Sequence, residues 1–76
     1  MLSIYADFNN ADERGRIRLN TAGSLRDIAI HEGDLAEGLT VVVYMTDEYQ
    51  VLATLVRDEI WYAIPDYATI TYLDNR

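Results

Sequence analysis

The segment from residue 39 to residue 64 contains three runs of β-branched and aromatic residues, separated only by short polar breaks. The runs are residues 39–45, 49–56 and 60–64. Valine, threonine, tyrosine and tryptophan suit a pleated, half-buried surface, and polar breaks at this spacing are typical of hairpin loops. The sequence therefore predicts a small β protein in which the strands are mainly antiparallel.

Three further strands are predicted outside this segment. Apolar and more polar residues alternate along residues 2–8 and again along residues 14–19. A period of two residues is typical of a strand with one buried face. Asn and Asp dominate the stretch between them, so we expect the two segments to pair as a hairpin. Residues 66–73 follow Pro65 and provide the last strand.

One short helix is predicted between the second and third strands. Ser24 is a suitable N-cap, Asp27 three residues later nearly completes a capping box, and Gly33 is a natural stop. The apolar residues between them lie on one side of a helix of one or two turns. His31, the only histidine, is expected to end this helix, where the helix dipole favours a positive charge.

These elements predict one domain over residues 1–76, which is near the lower size limit for independent folding. The fold class is all-β with one short helix. Small β domains often close their sheet to remove exposed edges, so an SH3-like barrel is the first expectation. An open antiparallel sheet with the helix against one face, an α+β fold, is the alternative.

Composition narrows the function classes. The net charge of −7 repels nucleic acids and anionic lipids, both of which are bound chiefly through phosphate groups. The chain has no cysteine and one histidine, so we expect no metal site and no cofactor. It shows no signal peptide and no apolar run near the ~20 residues that cross a bilayer, which favours a cytoplasmic protein without membrane association.

Arg14, Arg16 and Arg18 alternate along the second predicted strand and would lie on one face of it. A functional interpretation is an anion site for phosphate, an RNA backbone or an acidic partner. The alternative is cross-strand ion pairing with acidic neighbours such as Asp7. The sequence leaves both open.

Aromatic residues are numerous for a chain of this length, with six tyrosines, one tryptophan and one phenylalanine. Tyr49, Trp61, Tyr62 and Tyr67 are the candidate protein interface, which would stack a proline-rich segment or a second copy of the chain. Packing in the core and at the barrel rim is the alternative. Because Trp61 and Tyr62 are adjacent on a strand, they are expected to face opposite sides.

Several longer motifs resemble those of a set of small bacterial proteins of unknown function. They are Tyr-Ala-Asp-Phe-Asn at residues 5–9, Gly-Arg-Ile-Arg-Leu-Asn-Thr-Ala-Gly-Ser-Leu-Arg-Asp at 15–27, Glu-Gly-Leu at 37–39 and Trp-Tyr-Ala-Ile-Pro-Asp-Tyr at 61–67. The resemblance covers most of the chain. It implies a stand-alone bacterial protein and carries no activity with it.

No arrangement of residues in the sequence indicates an enzyme. The leading hypothesis is a non-catalytic protein-interaction or regulatory module that uses a sheet edge or an aromatic surface. Its partner would be another protein or a second copy of the chain in a homo-oligomer. The alternative is a nucleic-acid-associated small β-barrel in which the three arginines contact phosphates.

Overall fold

The computed structural model describes residues 1–73, and in it a five-stranded sheet curls into a half-barrel beside one helix. This confirms the predicted class, a small β fold with one short helix. The strands lie in the order β1-β3-β4-β5-β2. The elements are β1 (Ser3–Tyr5), β2 (Ile17–Arg18), α1 (Ala22–Ile30), β3 (Thr40–Met45), β4 (Tyr49–Asp58) and β5 (Ile60–Tyr72).

The three central strands form the antiparallel meander that the sequence predicts. Val43 on β3 is opposite Val51 on β4, and Leu55 on β4 is opposite Ala63 on β5. All four of these side chains are buried, because alternate residues of each strand point to the same face. The buried core is formed by Ile4, Ala6, Ile17, Leu19, Val41, Val43, Val51, Ala53, Leu55 and Ala63.

The predicted hairpin between the first two strands is wrong. β1 pairs in parallel with β3, where Ile4 is opposite Val43, whereas β2 pairs with β5, where Ile17 is opposite Ala63. The two segments therefore lie at opposite edges of the sheet. This arrangement leaves Ile4 and Ile17 with no exposed surface, so each edge contributes a side chain to one shared core.

β5 continues through Pro65, where the sequence suggested a break between two strands. Pro65 is paired with Ala53 of β4. The ladder is interrupted later, since Leu52 is opposite Asp66 whereas Gln50 is opposite Thr71, so residues 67–70 bulge outward. In the bulge, the Thr69 hydroxyl accepts the Leu52 backbone N–H at 2.9 Å and thereby replaces a ladder bond.

The N-cap of helix α1 lies three residues earlier than predicted. Thr21, not Ser24, is the N-cap, and its hydroxyl accepts the Ser24 N–H at 3.3 Å. Ser24 is buried inside the helix, where its hydroxyl donates to the Tyr5 carbonyl. His31 is the C-cap, as expected, and it is half-buried. Within residues 1–73, no helix is long and apolar enough to cross a membrane.

The helix also covers the outer edge of β1. The Oδ2 atom of Asp27 accepts the Tyr5 N–H at 2.8 Å and the Tyr44 hydroxyl at 2.7 Å. The N–H and the carbonyl group of Tyr5 both point away from β3. Asp27 accepts the first and Ser24 donates to the second, so both groups are satisfied. A foreign strand therefore cannot pair with β1 at this residue.

Residues 10–12 cover the outer edge of β2 in a similar way. The Arg18 N–H donates to the Asn10 carbonyl at 3.0 Å, and the Asp12 N–H donates to the Arg16 carbonyl at 2.8 Å. At both of these edge positions the backbone is already paired within the chain. The surfaces available for binding a partner are therefore the faces of the fold, where apolar side chains are exposed.

Candidate protein-interaction surfaces

An apolar groove lies between helix α1 and the end of the β4–β5 hairpin. Its volume is about 580 Å³. We call it the α1 groove, and its apolar lining consists of Leu19, Leu25, Ile28, Ala29, Leu35, Ile60 and Trp61. Leu19 at its base is buried, whereas Leu25 on its helical wall is 54% exposed. Apolar surface is thus open to solvent next to the core.

Trp61 lies near the start of β5, and the β4–β5 register places it opposite Arg57. The Arg57 guanidinium carbon lies 5.2 Å from the centre of the Trp61 ring, within the range of a cation–π contact. Glu37 accepts the Arg57 backbone N–H at 3.1 Å and anchors the chain at this point. Arg57, Glu32 and Glu59 give the groove a charged rim around an apolar floor.

The predicted arginine stripe is not a row of equivalent side chains. Only Arg18 lies within a strand, and its guanidinium donates to the Ala11 carbonyl at 3.0 Å. Arg14 precedes Gly15, whose positive φ of 79° turns the chain, and it is exposed. Arg16 forms a salt bridge with Asp12 in which Nε and Oδ2 are 2.7 Å apart.

Arg16 has two further contacts that fix its guanidinium. Its Nη1 lies 3.6 Å from the Asp58 carboxylate, and its Cζ lies 4.1 Å from the centre of the Tyr62 ring. The hydrogen bond that Arg16 donates to Asp12 raises the pKa of Arg16, whereas desolvation acts in the opposite direction. Desolvation alone would raise the pKa of Asp12, but hydrogen bonds from Arg16 and Arg14 hold it below 3.8.

The depression around these arginines is balanced in charge. It has a volume of about 280 Å³ and contains three acidic and three basic side chains. They are Asp12, Glu13, Asp58, Arg14, Arg16 and Arg18. An anion approaching this surface meets as many carboxylates as guanidinium groups, so the field that would attract a phosphate is largely cancelled.

The four aromatic residues predicted as one interface lie in three places. Trp61 lines the α1 groove, and Tyr62 packs under Arg16 on the other side of β5. Tyr49 and Tyr67 share a third site, because the ring of Phe8 contacts both of them. The sequence correctly indicates that Trp61 and Tyr62 face opposite sides, but it does not show which aromatic rings meet.

The third site is a row of four rings, here named the aromatic patch: Tyr67, Phe8, Tyr49 and Tyr72. Consecutive ring centres are 6.3, 5.0 and 6.1 Å apart. Tyr67 is 56% exposed and Tyr72 69% exposed at the two ends, whereas the inner rings are half-buried. Burial, followed by the nearby charge of Glu48, raises the pKa of Tyr49 above 10.

Sequence reasoning missed several residues of both surfaces. Phe8 and Tyr72 belong to the aromatic patch, and Leu25, Ile28 and Leu35 belong to the α1 groove. Tyr72 could not be found from the β4–β5 turn, because the register that holds from the turn to the Leu52–Asp66 pair changes at the bulge before Tyr72 pairs with Tyr49. No sequence pattern placed the helix beside the strand end that carries the tryptophan.

Among residues 1–73, no group of three or more metal-ligating side chains comes together. His31 lies at the end of α1, and Ser24 and Asp27 are occupied by hydrogen bonds to β1 and β3. These three residues therefore act in the framework of the fold.

Comparisons of the chain with protein-family models, curated proteins and solved structures find no match. The resemblance to small bacterial proteins stays a prediction made from the motifs. The α1 groove and the aromatic patch are the two exposed apolar surfaces that could bind a partner.

Proposed function

We propose that this protein is a small, non-catalytic interaction module, and that it binds a partner protein through the α1 groove. The observation that carries the proposal is an open apolar groove of about 580 Å³ beside the only tryptophan. The protein would act in the bacterial cytoplasm as a regulator or adaptor, in keeping with the motif resemblance.

The groove has the composition of a binding site for an amphipathic helix. Such a helix inserts apolar side chains into a groove and keeps its polar face in solvent. Trp61 is half-buried, and tryptophan is enriched among the residues that dominate binding energies. Leu25 stands on the opposite wall, more than half exposed, and loses that exposure when the groove is filled.

The arginine cluster does not favour the nucleic-acid alternative. Arg16 is held by Asp12, Asp58 and Tyr62, and the surrounding depression contains equal numbers of acids and bases. Releasing Arg16 for a phosphate would break these contacts. The net charge of the whole chain, −7, opposes the same approach.

The proposal is tested with two variants of the same helix. Leu25→Glu introduces a charge into the groove wall, whereas Ile30→Glu introduces the same charge at a position that is 68% exposed and does not line the groove. Circular dichroism first establishes that both variants are folded. Tagged wild-type and variant proteins are then compared by affinity capture with nuclease treatment, mass spectrometry and light scattering.

A stoichiometric protein partner that is lost with Leu25→Glu and retained with Ile30→Glu supports the proposal. Its binding should also shift the fluorescence of Trp61, since that ring lines the groove. A homodimer that dissociates only in Leu25→Glu would identify the partner as a second copy. Partners that bind equally to both variants would show that the α1 groove is not the binding site.

A further inference from the structure

The aromatic patch lies away from the α1 groove and has a distinct chemical character. Its rings meet at steep angles of 54–78° between planes, so edges and faces alternate along the row. The exposed rings, Tyr67 and Tyr72, carry the hydroxyl groups at its two ends. A ridged aromatic surface with hydroxyl donors at its ends is suited to an extended ligand, which can lie along the row of rings.

Acidic residues accompany the rings. Asp7 immediately precedes Phe8, and Glu48 precedes Tyr49. The charges of Glu48 and Asp7 are close enough to Tyr49 to contribute to its raised pKa, after the larger effect of burial. In the described part of the chain, the arginines have their contacts or positions elsewhere, at the α1 groove, on the helix and around Asp12. The patch is therefore aromatic and negatively charged.

We propose that the aromatic patch is a second binding site, which takes a proline-rich segment that carries an arginine or lysine. Proline rings pack flat against aromatic faces, and a polyproline II segment has no internal hydrogen bonds, so its carbonyl groups accept bonds from donors such as tyrosine hydroxyls. The basic residue lies against the exposed tyrosine faces and the neighbouring carboxylates, where cation–π and ionic attraction act together.

A second copy of the chain is a less suitable occupant of the patch. A symmetric contact between two patches would bring Asp7 and Glu48 of one copy next to the same two carboxylates of the other. Each copy also carries a net charge of −7. The repulsion favours a positively charged partner over self-association.

The experiment uses an acetylated synthetic peptide with two Pro-x-x-Pro units and one terminal arginine, titrated into isotopically labelled protein and followed by NMR. Two control peptides replace the prolines with alanine or the arginine with glutamate. Tyr67→Ala removes an exposed ring of the patch, whereas the matched control Ile64→Ala removes an exposed side chain from the same strand outside the patch. Glu48→Gln removes one charge without changing the shape.

The expected result is that the peptide shifts the resonances of Tyr49, Tyr67 and Tyr72, and leaves the indole resonance of Trp61 in place. Tyr67→Ala should weaken the peptide about tenfold, Glu48→Gln should weaken it severalfold, and Ile64→Ala should leave the dissociation constant unchanged. Raising the salt concentration from about 0.05 to about 0.5 M should weaken it as well, because the carboxylates are exposed.

Three outcomes would overturn the proposal. These are no shift at millimolar peptide, equal binding of all three peptides, or unchanged affinity in Tyr67→Ala. Shifts confined to Trp61 would assign the peptide to the α1 groove, which contradicts this proposal and leaves the proposed function standing. Loss of the groove partner in Leu25→Glu has no bearing on the patch, so the two proposals fail independently.

Discussion

Replacing Asp27 with alanine tests how the helix is fixed to the edge of the sheet. A single carboxylate oxygen accepts the Tyr5 N–H and the Tyr44 hydroxyl, and Asp27 is only 8% exposed. A hydrogen bond to a charged group contributes about 1.5–3 kcal/mol. Because the two bonds share one acceptor and are not additive, we expect Asp27→Ala to lower the free energy of unfolding by about 3 kcal/mol.

A loss of this size is large for a small domain. A chain of this length has a free energy of unfolding of about 4–11 kcal/mol. With a urea m-value of about 1 kcal/mol/M, typical of small domains, the midpoint of unfolding should fall by about 3 M. Urea titrations followed by both Trp61 fluorescence and far-UV circular dichroism measure this shift, and agreement between the two signals supports two-state behaviour.

Two conservative variants separate hydrogen bonding from charge. Asp27→Asn keeps a carbonyl oxygen with two lone pairs, so it can accept both bonds and should cost only about 1 kcal/mol. Tyr44→Phe removes one of the two bonds to the charged carboxylate and should cost about 1.5–2 kcal/mol. The bond from Tyr44 to Asp27 is the largest cause of the raised pKa of Tyr44, so Asp27→Asn should also lower that pKa toward 10.

The proposed role of Asp27 is refuted if Asp27→Ala changes the free energy of unfolding by less than about 0.5 kcal/mol, the range of an ordinary surface substitution. It is also refuted if Asp27→Ala and Asp27→Asn lose the same stability. In that case the acceptor geometry at Oδ2 would contribute nothing beyond the charge of the side chain.

Three further predictions follow from other contacts. The pKa of Tyr44 is raised in the folded protein, mainly by its hydrogen bond to Asp27. The stabilising contribution of Tyr44 is therefore complete below pH 10 and is lost as the pH rises through the higher folded pKa. In urea titrations above pH 10, the wild type should lose more stability than Tyr44→Phe does. The pKa of Asp12 is lowered below 3.8 in the folded protein. The contribution of its carboxylate to stability is therefore present above pH 3.8 and is lost as the pH falls through the lower folded pKa. Thermal melts of the wild type should show a decline in melting temperature in acid that Asp12→Asn lacks. Gly23→Ala should destabilise the protein by about 1 kcal/mol in urea titrations, because the added Cβ would lie 2.8 Å from Cδ1 of Tyr5 and overpacking outweighs the gain in helix propensity; an increase in stability would contradict that close approach.

The predicted functional residues show where the sequence is informative and where it is not. Trp61 and Tyr62 were expected on opposite faces, because adjacent strand residues alternate, and the structure places them so. The arginine stripe assumed a regular strand over residues 14–19, but Gly15 turns the chain and Asp12 holds Arg16. Local charge pairing cannot be distinguished from an anion site by spacing alone.

The aromatic residues illustrate the same limit at longer range. Their number predicted an exposed aromatic surface, yet Phe8 and Tyr67 meet only because β1 and the bulge in β5 are brought to one side of the fold. The α1 groove also depends on a distant pairing, that of a helix with the end of a hairpin. Both surfaces combine segments that are far apart in the sequence.

Local patterns in the sequence are sufficient to predict the β class, the central meander and the single helix. These features depend on local properties: side-chain alternation, β propensity and polar turns between short strands, all of which act within a few residues. Even the position of His31 at the helix end followed from such local signals. Interactions between residues close together in the chain can be predicted from the order of the residues.

The assignment of strands to the edges of the sheet, by contrast, depends on long-range packing. Residues 2–8 could pair with any strand that offers a buried face, and the parallel pairing with β3 is fixed by contacts across the chain, in which Ser24 and Asp27 satisfy the backbone of Tyr5. Those hydrogen bonds join residues about twenty positions apart, and no local pattern encodes them. The same long-range packing creates the two proposed binding surfaces, because each forms only where separate elements leave apolar side chains without a neighbour.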